Sequence, residues 1–487
     1  MKTKFLALMI CIFSLTSCEK QLDINADPFL PQEGPPHLYL PQVFYAMAEG
    51  AMFDIRFIGR YTQQWQSTVA NENYDRHGRR PLNGGLAASQ TYRNHYWSIG
   101  SNLNQIESQS VKRGFGAYKG ICNIIRAYSW LISTSQFGEM PLKQAWDNTR
   151  TKFDYDSQKD IYAEVQKLCD AGIADLSSPQ GAIDPNFASG ELLFGGDLSK
   201  WIKFAYAIKA RAANHYSNKT SYSPDKVIEW VDKSFASNAD DAEVKFSTST
   251  TVLSDFFSFL GPARANFGAM RQGKTLVGMM NGTFYPQNDP RLTQYFNPST
   301  TGSVGSLEAG KGLLAGQIIP TMYGKWIFQN NTPYPIFTYA EMQFVKAEAA
   351  FKKGDKNTAQ IAFFNAVKAN MSKAGVTNAL ADDYLAKALP KSGAELDIKN
   401  IMTQKYIALF GHPEVWSDLR RYNYDANIFM GYTPPSTLAI ENNGKLVQRC
   451  LPPSFSEEDW NTDAFRANGG YDIDYHTKPL WAFGSLE

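Results

Sequence analysis

The chain has 487 residues, with 48 Lys and Arg against 47 Asp and Glu, and 43% of its residues are hydrophobic. This balance of charge argues against nucleic acid as a partner, because contact with a phosphate backbone needs a clear excess of positive charge. The apolar content excludes a disordered chain and predicts a protein with a large buried core.

The N-terminus predicts export and lipid anchoring. Lys2 and Lys4 precede an apolar run, Phe5–Leu15, which is too short to span a bilayer as a helix. Small residues then lead to Cys18, an arrangement that resembles the bacterial lipobox, where the signal peptide is cut and a lipid is attached to the cysteine sulfur. We therefore predict a signal peptide over residues 1–17, a lipid on Cys18 and no spanning helix. The alternative is an ordinary signal peptide with an incidental cysteine.

The rest of the chain is predicted to form an extended tether at residues 18–36 and a single helical domain at 37–487. Asp197 is a predicted N-cap. Residues 237–334 are rich in Gly, Pro, Ser, Thr and Asn and lack helical periodicity, which predicts a loop-rich insertion with small hairpins. Hydrophobic residues recur at helical spacing in Phe57–Trp65, Tyr92–Ile106, Phe115–Ser135, Ser157–Leu176, Leu198–Tyr216, Tyr334–Lys373 and Leu396–Tyr422.

One segment carries the spacing of a tetratricopeptide unit. Ala347 is followed by Ala359, Phe363 and Ala366, with Gly354 between the two predicted helices. Small residues at these places allow two antiparallel helices to touch closely. We therefore predict an all-α fold of tetratricopeptide-like pairs, with long irregular loops. A generic helical hairpin is the alternative for this segment.

Catalytic and metal-binding patterns are missing. Residues Gly268–Thr275 match the phosphate-binding GxxxxGK[ST] pattern, but no buried strand is predicted before them, so we interpret the match as a coincidence. The histidines form no HExxH, and Asp472 with Asp474 lacks the loop of a calcium site. Cys122 and Cys169 fall in helical patterns and are predicted to be core thiols. The sequence therefore predicts no enzyme and no cofactor.

Aromatic residues in segments without helical periodicity are candidates for ligand binding. Sugar rings stack on aromatic planes, while Arg and Asn side chains satisfy their hydroxyls. We predict that residues 67–89 and 261–334 come together on one face. The candidate platforms there are Tyr74, Tyr285, Tyr323 and Trp326, and the candidate hydroxyl partners are Asn73, Arg76 and Arg79.

Several motifs, in order along the chain, resemble the SusD/RagB family of outer-membrane lipoproteins. They lie in Glu19–Pro28, Arg126–Ala145, Gly196–Arg211, Asp289–Leu292, Tyr339–Ala349, Gln404–Phe410 and Glu414–Arg421. The resemblance implies tetratricopeptide-like helical pairs that support variable ligand-binding loops. It also implies a lipid-anchored protein on the exterior of the outer membrane that binds glycans, or in some branches peptides. The implied partner is a TonB-dependent transporter of the SusC type.

Two other functions stay open at this point. A surface glycoside hydrolase needs two carboxylates that converge in a cleft. A protein-binding repeat scaffold predicts a concave groove without an aromatic platform. The matched motifs belong to the scaffold, so the resemblance transfers no binding residue and does not name the ligand.

Overall fold

The computed structural model describes residues 33–246 and 257–484. The predictions for the signal peptide, Cys18 and most of the tether fall outside these residues. In the part of the chain that is described, no helix is both long and apolar enough to cross a bilayer. Regular structure there is mostly helical, which confirms the all-α prediction.

The scaffold helices fall into two groups on either side of the insertion. The first group comprises α1 (Leu40–Tyr61), α2 (Gln90–Asn94), α3 (Asn102–Arg113), α4 (Ala117–Phe137), α5 (Gln158–Ser177), α6 (Phe187–Gly190), α7 (Leu198–His215) and α8 (Pro224–Lys233). The insertion contributes α9 (Lys274–Met280) and α10 (Leu292–Tyr295). The second group comprises α11 (Tyr339–Lys353), α12 (Lys356–Lys373), α13 (Asn378–Ala388), α14 (Ile398–Ala408), α15 (Glu414–Arg421) and α16 (Thr462–Ala467).

Neighbouring helices pack in pairs, and the pairs pack on one another. Helix α4 lies against α5, α7 against α8 and α11 against α12, while α5–α7 and α8–α11 contacts join the pairs. Side-chain caps fix where several of these helices begin. Asp197 accepts hydrogen bonds from the backbone N–H groups of Ser199 and Lys200, as predicted, and Ser157 and Asp355 cap α5 and α12 in the same way.

The predicted tetratricopeptide spacing is confirmed. Ala347, Ala359, Phe363 and Ala366 are all fully buried, and α11 packs closely along α12. The Phe363 ring lies 6.3 Å from the Phe344 ring across the pair. The alanines supply the close approach of the two backbones, and the phenylalanine fills the space beside them.

The insertion is anchored by strand pairs that join distant parts of the chain. Strand β2 (Ala242–Val244) pairs antiparallel with β4 (Tyr334–Phe337), so that the insertion begins and ends at neighbouring positions. Strand β1 (Trp65–Ser67) pairs antiparallel with β3 (Met270–Gln272). Small hairpins are predicted within residues 237–334, whereas the structure pairs β2 and β3 with segments distant in sequence. The helical spacing of Tyr334–Lys373 is wrong for its first four residues, which form β4.

The helical spacing that includes Trp65 does not continue to that residue. Helix α1 ends at Tyr61, and Gln63 has a positive φ of 60° that turns the chain into β1. The Trp65 ring then folds back against Gly59, where an added Cβ would lie 2.2 Å from the ring. The spacing is misleading because Trp65 contacts α1 from outside the helix.

The phosphate-loop match is part of the insertion's packing. Its Gly273 lies between β3 and α9, and β3 pairs with β1 in a two-stranded sheet. The Lys274 ammonium forms an exposed ion pair with Glu308 at 3.0 Å. Thr275 is buried, and its hydroxyl donates a hydrogen bond to the side-chain oxygen of Gln63. This arrangement supports the interpretation of the motif as a coincidence.

Charged side chains connect the scaffold helices through the interior. Glu348 on α11 accepts hydrogen bonds from Arg421 on α15, from Asn214 on α7 at 3.0 Å and from Tyr422 at 2.6 Å. Burial alone would raise the pKa of Glu348, but the Arg421 guanidinium beside it holds that pKa below its usual range.

Further buried ion pairs extend this network, and we call the whole set the ionic core. Lys405 lies 3.0 Å from Asp418, and the other two ion pairs are Arg211–Glu341 and Arg291–Asp289. His215 adds a buried hydrogen bond to Glu414 at 2.7 Å, and burial lowers the pKa of His215 below its usual value. All charged residues of the ionic core, together with His215, are buried.

Truncation of Phe363 tests the helix pair. Phe363→Ala should lower the free energy of unfolding by about 3–5 kcal/mol, since it removes a fully buried ring and leaves a cavity. Ile361→Ala on the same helix is the control, because Ile361 is largely exposed. Chemical denaturation measures both variants, and equal, small losses would contradict the predicted packing.

Neutralisation of Glu348 tests the ionic core. Glu348→Gln should cost about 3–5 kcal/mol, because it leaves Asp418 as the one carboxylate paired with two buried cations, Arg421 and Lys405. The exposed Glu229→Gln, which breaks the surface pair with Lys233, is the control and should leave the melting temperature nearly unchanged.

The same variant has a signature in pH. The folded-state pKa of Glu348 lies below its usual value of 4.5, so its contribution is complete above that pH and is lost as the pH falls. Glu348→Gln should therefore reduce the loss of stability below about pH 4.5. An unchanged acid transition would show that Glu348 does not contribute to it.

Candidate functional site

Two of the predicted platforms are part of the protein interior. Tyr74 is buried, and its ring lies 4.7 Å from that of Phe57. Tyr285 is also buried and packs near Tyr384 at a ring distance of 6.4 Å. A buried ring has no free face for a sugar, so neither residue is positioned as a stacking platform.

The predicted hydroxyl partners hold loops together. Asn73 donates a hydrogen bond to the carbonyl oxygen of Arg79 at 2.7 Å. The Arg76 guanidinium donates to the carbonyl oxygens of Thr437 and Leu438 at 3.3 and 3.0 Å. Arg79 is half-buried. The polar groups of Asn73 and Arg76 are thus engaged largely with the protein itself, whereas the buried Nη1 of Arg79 has no hydrogen-bond partner among the described residues.

Tyr323 and Trp326 are half-buried. The Tyr323 hydroxyl accepts a hydrogen bond from the backbone N–H of Phe267 at 2.8 Å. The Trp326 ring lies 4.8 Å from that of Tyr295, and its indole N–H donates to the carbonyl of Phe410 at 3.2 Å. Trp326 also lines a cavity of 610 Å³. It therefore combines a packing role with a partly accessible face.

The two predicted stretches do meet, but they do not bring the predicted rings together. Besides the β1–β3 pair, the backbone N–H of Asn71 donates to the carbonyl of Gly310 at 2.9 Å, and that of Leu313 donates to Thr68 at 3.0 Å. Tyr74 packs on α1, whereas Trp326 packs on Tyr295 at the end of α10. The contact is made by backbone and not by a shared aromatic surface.

A different part of the molecule has exposed aromatic side chains around a concavity of 440 Å³, which we call the aromatic groove. Trp97 is 63% exposed, Trp460 is 76% exposed and Phe455 is 38% exposed. Large apolar side chains at this exposure are typical of a binding surface when they converge on one groove. The full lining is Tyr92, Arg93, Tyr96, Trp97, Pro141, Ala145, Trp146, Thr151, Phe153, Phe455, Ser456, Glu457, Trp460 and Asn461.

A π-helical segment, His95–Ser101, positions Trp97 on the outside of the scaffold. The wider turn interrupts the helix predicted over Tyr92–Ile106 while Tyr92 and Ile99 stay buried. The Arg93 guanidinium lies over the Trp97 ring at 5.1 Å, which restrains the indole at the surface. Such π-helical turns occur often at functional sites.

The loop that follows α4 supplies the floor of the aromatic groove. The Trp146 indole N–H donates to the carbonyl of Tyr96 at 2.8 Å, and the Tyr96 hydroxyl donates to the carbonyl of Pro141 at 2.8 Å. Gly100 allows this approach, because a Cβ there would lie 2.1 Å from the Trp146 ring. These contacts attach the loop directly to the π-helical segment.

Two polar side chains lie at the base of the groove. Oε2 of Glu457 accepts hydrogen bonds from the Tyr155 hydroxyl at 2.7 Å and from the Asn461 amide at 3.0 Å. The Asn461 side chain also accepts a hydrogen bond from the backbone N–H of Phe153 at 3.0 Å and donates one to the carbonyl of Phe153 at 2.9 Å. Burial raises the pKa of Glu457 above its usual value, against the opposing effect of the Asn461 and Tyr155 hydrogen bonds.

The chemistry available in the groove is that of contact and hydrogen bonding. Glu457 is the one carboxylate among the lining residues, so the described groove does not offer the pair that glycoside hydrolysis requires. Across the described residues, no group of three or more His, Cys, Asp or Glu side chains could hold a metal ion. Asp472 pairs with Lys478, and Asp474 lies 3.9 Å from Lys445.

Sequence reasoning did not find the aromatic groove, although one signal was present. The predicted buried face of the helix includes Tyr96, so that Trp97, the next residue, lies outside that face. An indole on the polar face of a helix is a candidate for ligand contact. Trp460 gives no such signal, because its segment has no regular period against which its position could be judged.

Comparisons with known proteins identify one matching family model and several solved structures with a similar fold. A family model described as SusD-like, "Starch-binding associating with outer membrane", matches residues 30–453. A search of curated proteins found no match.

Solved structures share the fold. A SusD/RagB family protein from Bacteroides thetaiotaomicron has 21% identity and a TM-score of 0.72, over 93% of this chain and 100% of the other. A chitin-binding SusD homolog from Flavobacterium johnsoniae has 16% identity and a TM-score of 0.73, over 93% and 99% of the two chains. A further structure, described as a chitin-binding protein, has 22% identity and a TM-score of 0.69, over 92% and 99%. With a family match that spans most of its length, the chain belongs to the SusD-like family.

Proposed function

We propose that this protein is a lipid-anchored, surface-exposed protein of the outer membrane that captures glycans, or other nutrient oligomers, for import. In this proposal it passes its ligand to a TonB-dependent transporter of the SusC type. The family description, starch-binding and associated with the outer membrane, supports this function. Two similar structures are described as chitin-binding, which supports a carbohydrate ligand.

The observation that carries the proposal is the aromatic groove. Trp97, Phe455 and Trp460 hold exposed rings around one concavity, and polar groups lie at its base. The C–H faces of a sugar ring can stack on such rings while its hydroxyls meet the polar groups. In many binding proteins a rigid scaffold positions surface segments, and these segments supply the contacts with the ligand.

The two alternatives fit this surface less well. A glycoside hydrolase acting in the groove would need a second carboxylate beside Glu457 among the lining residues. A purely protein-binding scaffold predicts a concave groove without an aromatic platform, whereas two exposed tryptophans line this groove. Glycan capture uses both the exposed rings and the polar groups at the base of the groove.

The tryptophans of the groove provide the main test. Trp97→Ala and Trp460→Ala should each weaken retention in a polysaccharide affinity gel by roughly fivefold, since a stacked ring contributes about 1 kcal/mol. Their melting temperatures should change little, because both rings are largely exposed. Ile440→Ala, at an exposed residue outside the groove lining, is the matched control.

The same gel tests the earlier candidate Trp326. Trp326→Ala should reduce stability, since its ring and indole N–H both contact the interior, and it should leave retention unchanged. Loss of retention in Trp326→Ala with full retention in the groove variants would place binding at the Trp326 cavity and would contradict the proposal.

Lipid anchoring is tested at Cys18. Cys18→Ala should release the protein from the outer-membrane fraction, because it removes the atom that carries the lipid. Cys11→Ala, in the apolar part of the predicted signal peptide, is the control and should leave the protein in the membrane fraction. Membrane retention of Cys18→Ala would show that another feature holds the protein there.

A further inference from the structure

Four exposed aliphatic side chains lie near the point at which the described chain begins. Leu38 is 64% exposed and Val111 is 78% exposed, and about half of Ile183 and of Leu192 is exposed. Single apolar residues are normal on a protein surface, but a group of them on adjoining segments is typical of an interaction surface. We call these four residues the aliphatic patch.

The first described residues lie against the end of α3. The 3₁₀ turn Pro36–Leu38 packs on this helix, and the Glu33 carboxylate pairs with the Lys112 ammonium at 2.5 Å. Val111 precedes Lys112 in the last turn of α3. Leu38 and Val111 therefore belong to segments that touch each other.

Residues 182–192 lie against both of these segments. The backbone N–H of Ala182 donates to the carbonyl of Gly114, just beyond α3, at 2.9 Å. The His37 ring and the Asp184 carboxylate form a hydrogen bond at 3.1 Å, and α6 packs on the same 3₁₀ turn. All four residues of the aliphatic patch thus come from one region of the surface.

Positive charge borders the patch. Lys112 and Arg113, at the end of α3, are both exposed. Of the acidic residues in the three segments, Glu33 is exposed, whereas Asp184 and Glu191 are buried. Aliphatic side chains beside exposed basic ones favour the interface of a bilayer that contains anionic lipids.

The place of the patch along the chain identifies the surface that it can reach. Glu33 is fifteen residues beyond Cys18, the predicted site of the lipid. A polypeptide of that length spans about 50 Å at most. The region around Glu33 therefore has the shortest connection to the lipid, and a tethered surface can dock even when its own affinity is weak.

We propose that the aliphatic patch rests on the lipid surface of the outer membrane and orients the anchored protein. The aliphatic side chains contact the boundary between headgroups and acyl chains, while Lys112 and Arg113 contact lipid phosphates. This inference rests on the lipid anchoring in the proposed function and adds the face that meets the membrane.

This orientation also concerns the aromatic groove. Helical structure is continuous from Gln90 to Arg113, with Trp97 near one end and Val111 near the other. At about 1.5 Å per residue, roughly 20 Å of helix separates the two residues. A bilayer that contacts the Val111 end therefore leaves the Trp97 end available to a ligand.

Quenching of a fluorophore by lipid measures the contact. The lipidated full chain carries the label on Asn186→Cys, an exposed position between Ile183 and Leu192, while the described native cysteines are buried. Its vesicles contain phosphatidylethanolamine and phosphatidylglycerol with a nitroxide on the headgroup. Fluorescence should fall roughly twofold or more, because the proposed contact places the label at the headgroups.

A label on Ile440→Cys is the matched control. The neighbouring Ala439 N–H donates to the carbonyl of Arg76 at 2.8 Å, and Tyr74 in the same turn packs near the end of α1. Leu38 precedes the start of that 22-residue helix, so about 30 Å of helix lies between the two labelled regions. The control label should keep its fluorescence.

Removal of apolar side chains tests whether the patch makes the contact. Leu38→Ser combined with Val111→Ser should lower the docked fraction by roughly tenfold or more, since one aliphatic side chain removed from water contributes up to about a factor of ten. The protein should still float with the vesicles, and the label on Asn186→Cys should recover its fluorescence. Leu380→Ser, at an exposed leucine of α13, should leave the quenching unchanged.

The outcomes separate this inference from the proposed function. Flotation without quenching at Asn186→Cys, or equal quenching of both labels, would overturn the orientation and keep the anchoring. Shielding of the Asn186→Cys label from aqueous iodide in the lipid-free Cys18→Ala protein would show that the chain itself covers the patch, which also overturns the inference. Failure of the lipidated protein to float would count against the anchoring and against this inference with it.

Discussion

The buried pair of Glu348 and Arg421 is the interaction on which the rest of the scaffold depends. Neither charge can be buried alone, because the free-energy cost of removing an unpaired charge from water exceeds the stabilisation gained from packing. Their contact therefore fixes α11 against α15, and Asn214 adds α7 to the same point. Hydrophobic packing permits many small shifts between helices, but a buried ion pair with fixed hydrogen bonds permits few.

This constraint explains why the sequence motifs of the family are charged although they lie in the interior. Arg211, Glu341, Glu348, Asp418 and Arg421 all belong to segments that carried the resemblance, and all are buried. Charged residues are normally expected at the surface, so their recurrence within helical patterns could be mistaken for catalytic chemistry. In this protein they hold helices together, and none of these five residues lines the aromatic groove.

The side chains of the aromatic groove are held in position by the helical scaffold. The rings of the groove come from the π-helical segment, the loop beyond α4 and the segment before α16, which are distant in sequence. The Trp146–Tyr96 and Asn461–Phe153 hydrogen bonds join these pieces. Exposed rings can be held for a ligand only because the residues beneath them are already fixed by contacts of this kind.

Local patterns were sufficient for the scaffold but not for the site. The Asp197 cap and the Ala347–Phe363 spacing depend on residues close in sequence, so periodicity and capping rules predicted them. The short strands pair across the chain, and the turn at Gln63 has no local signal that overrides the spacing to Trp65. Two of the predicted loop aromatics, Tyr74 and Tyr285, are buried, because burial is decided by tertiary packing. Tyr74 fills a space beside Phe57, while Trp97 is left outside by a wider helical turn.

The pairing of β2 with β4 has a consequence for how this protein can change. Because Val244 lies opposite Tyr334, the chain leaves the scaffold and returns to it at almost the same point. Segments whose ends are neighbours can be lengthened, shortened or exchanged with little effect on the body that carries them. The antiparallel pair thus fixes both ends of the segment, so that its exposed loops can change in length while its buried Asp289–Arg291 pair keeps its contacts with the helices.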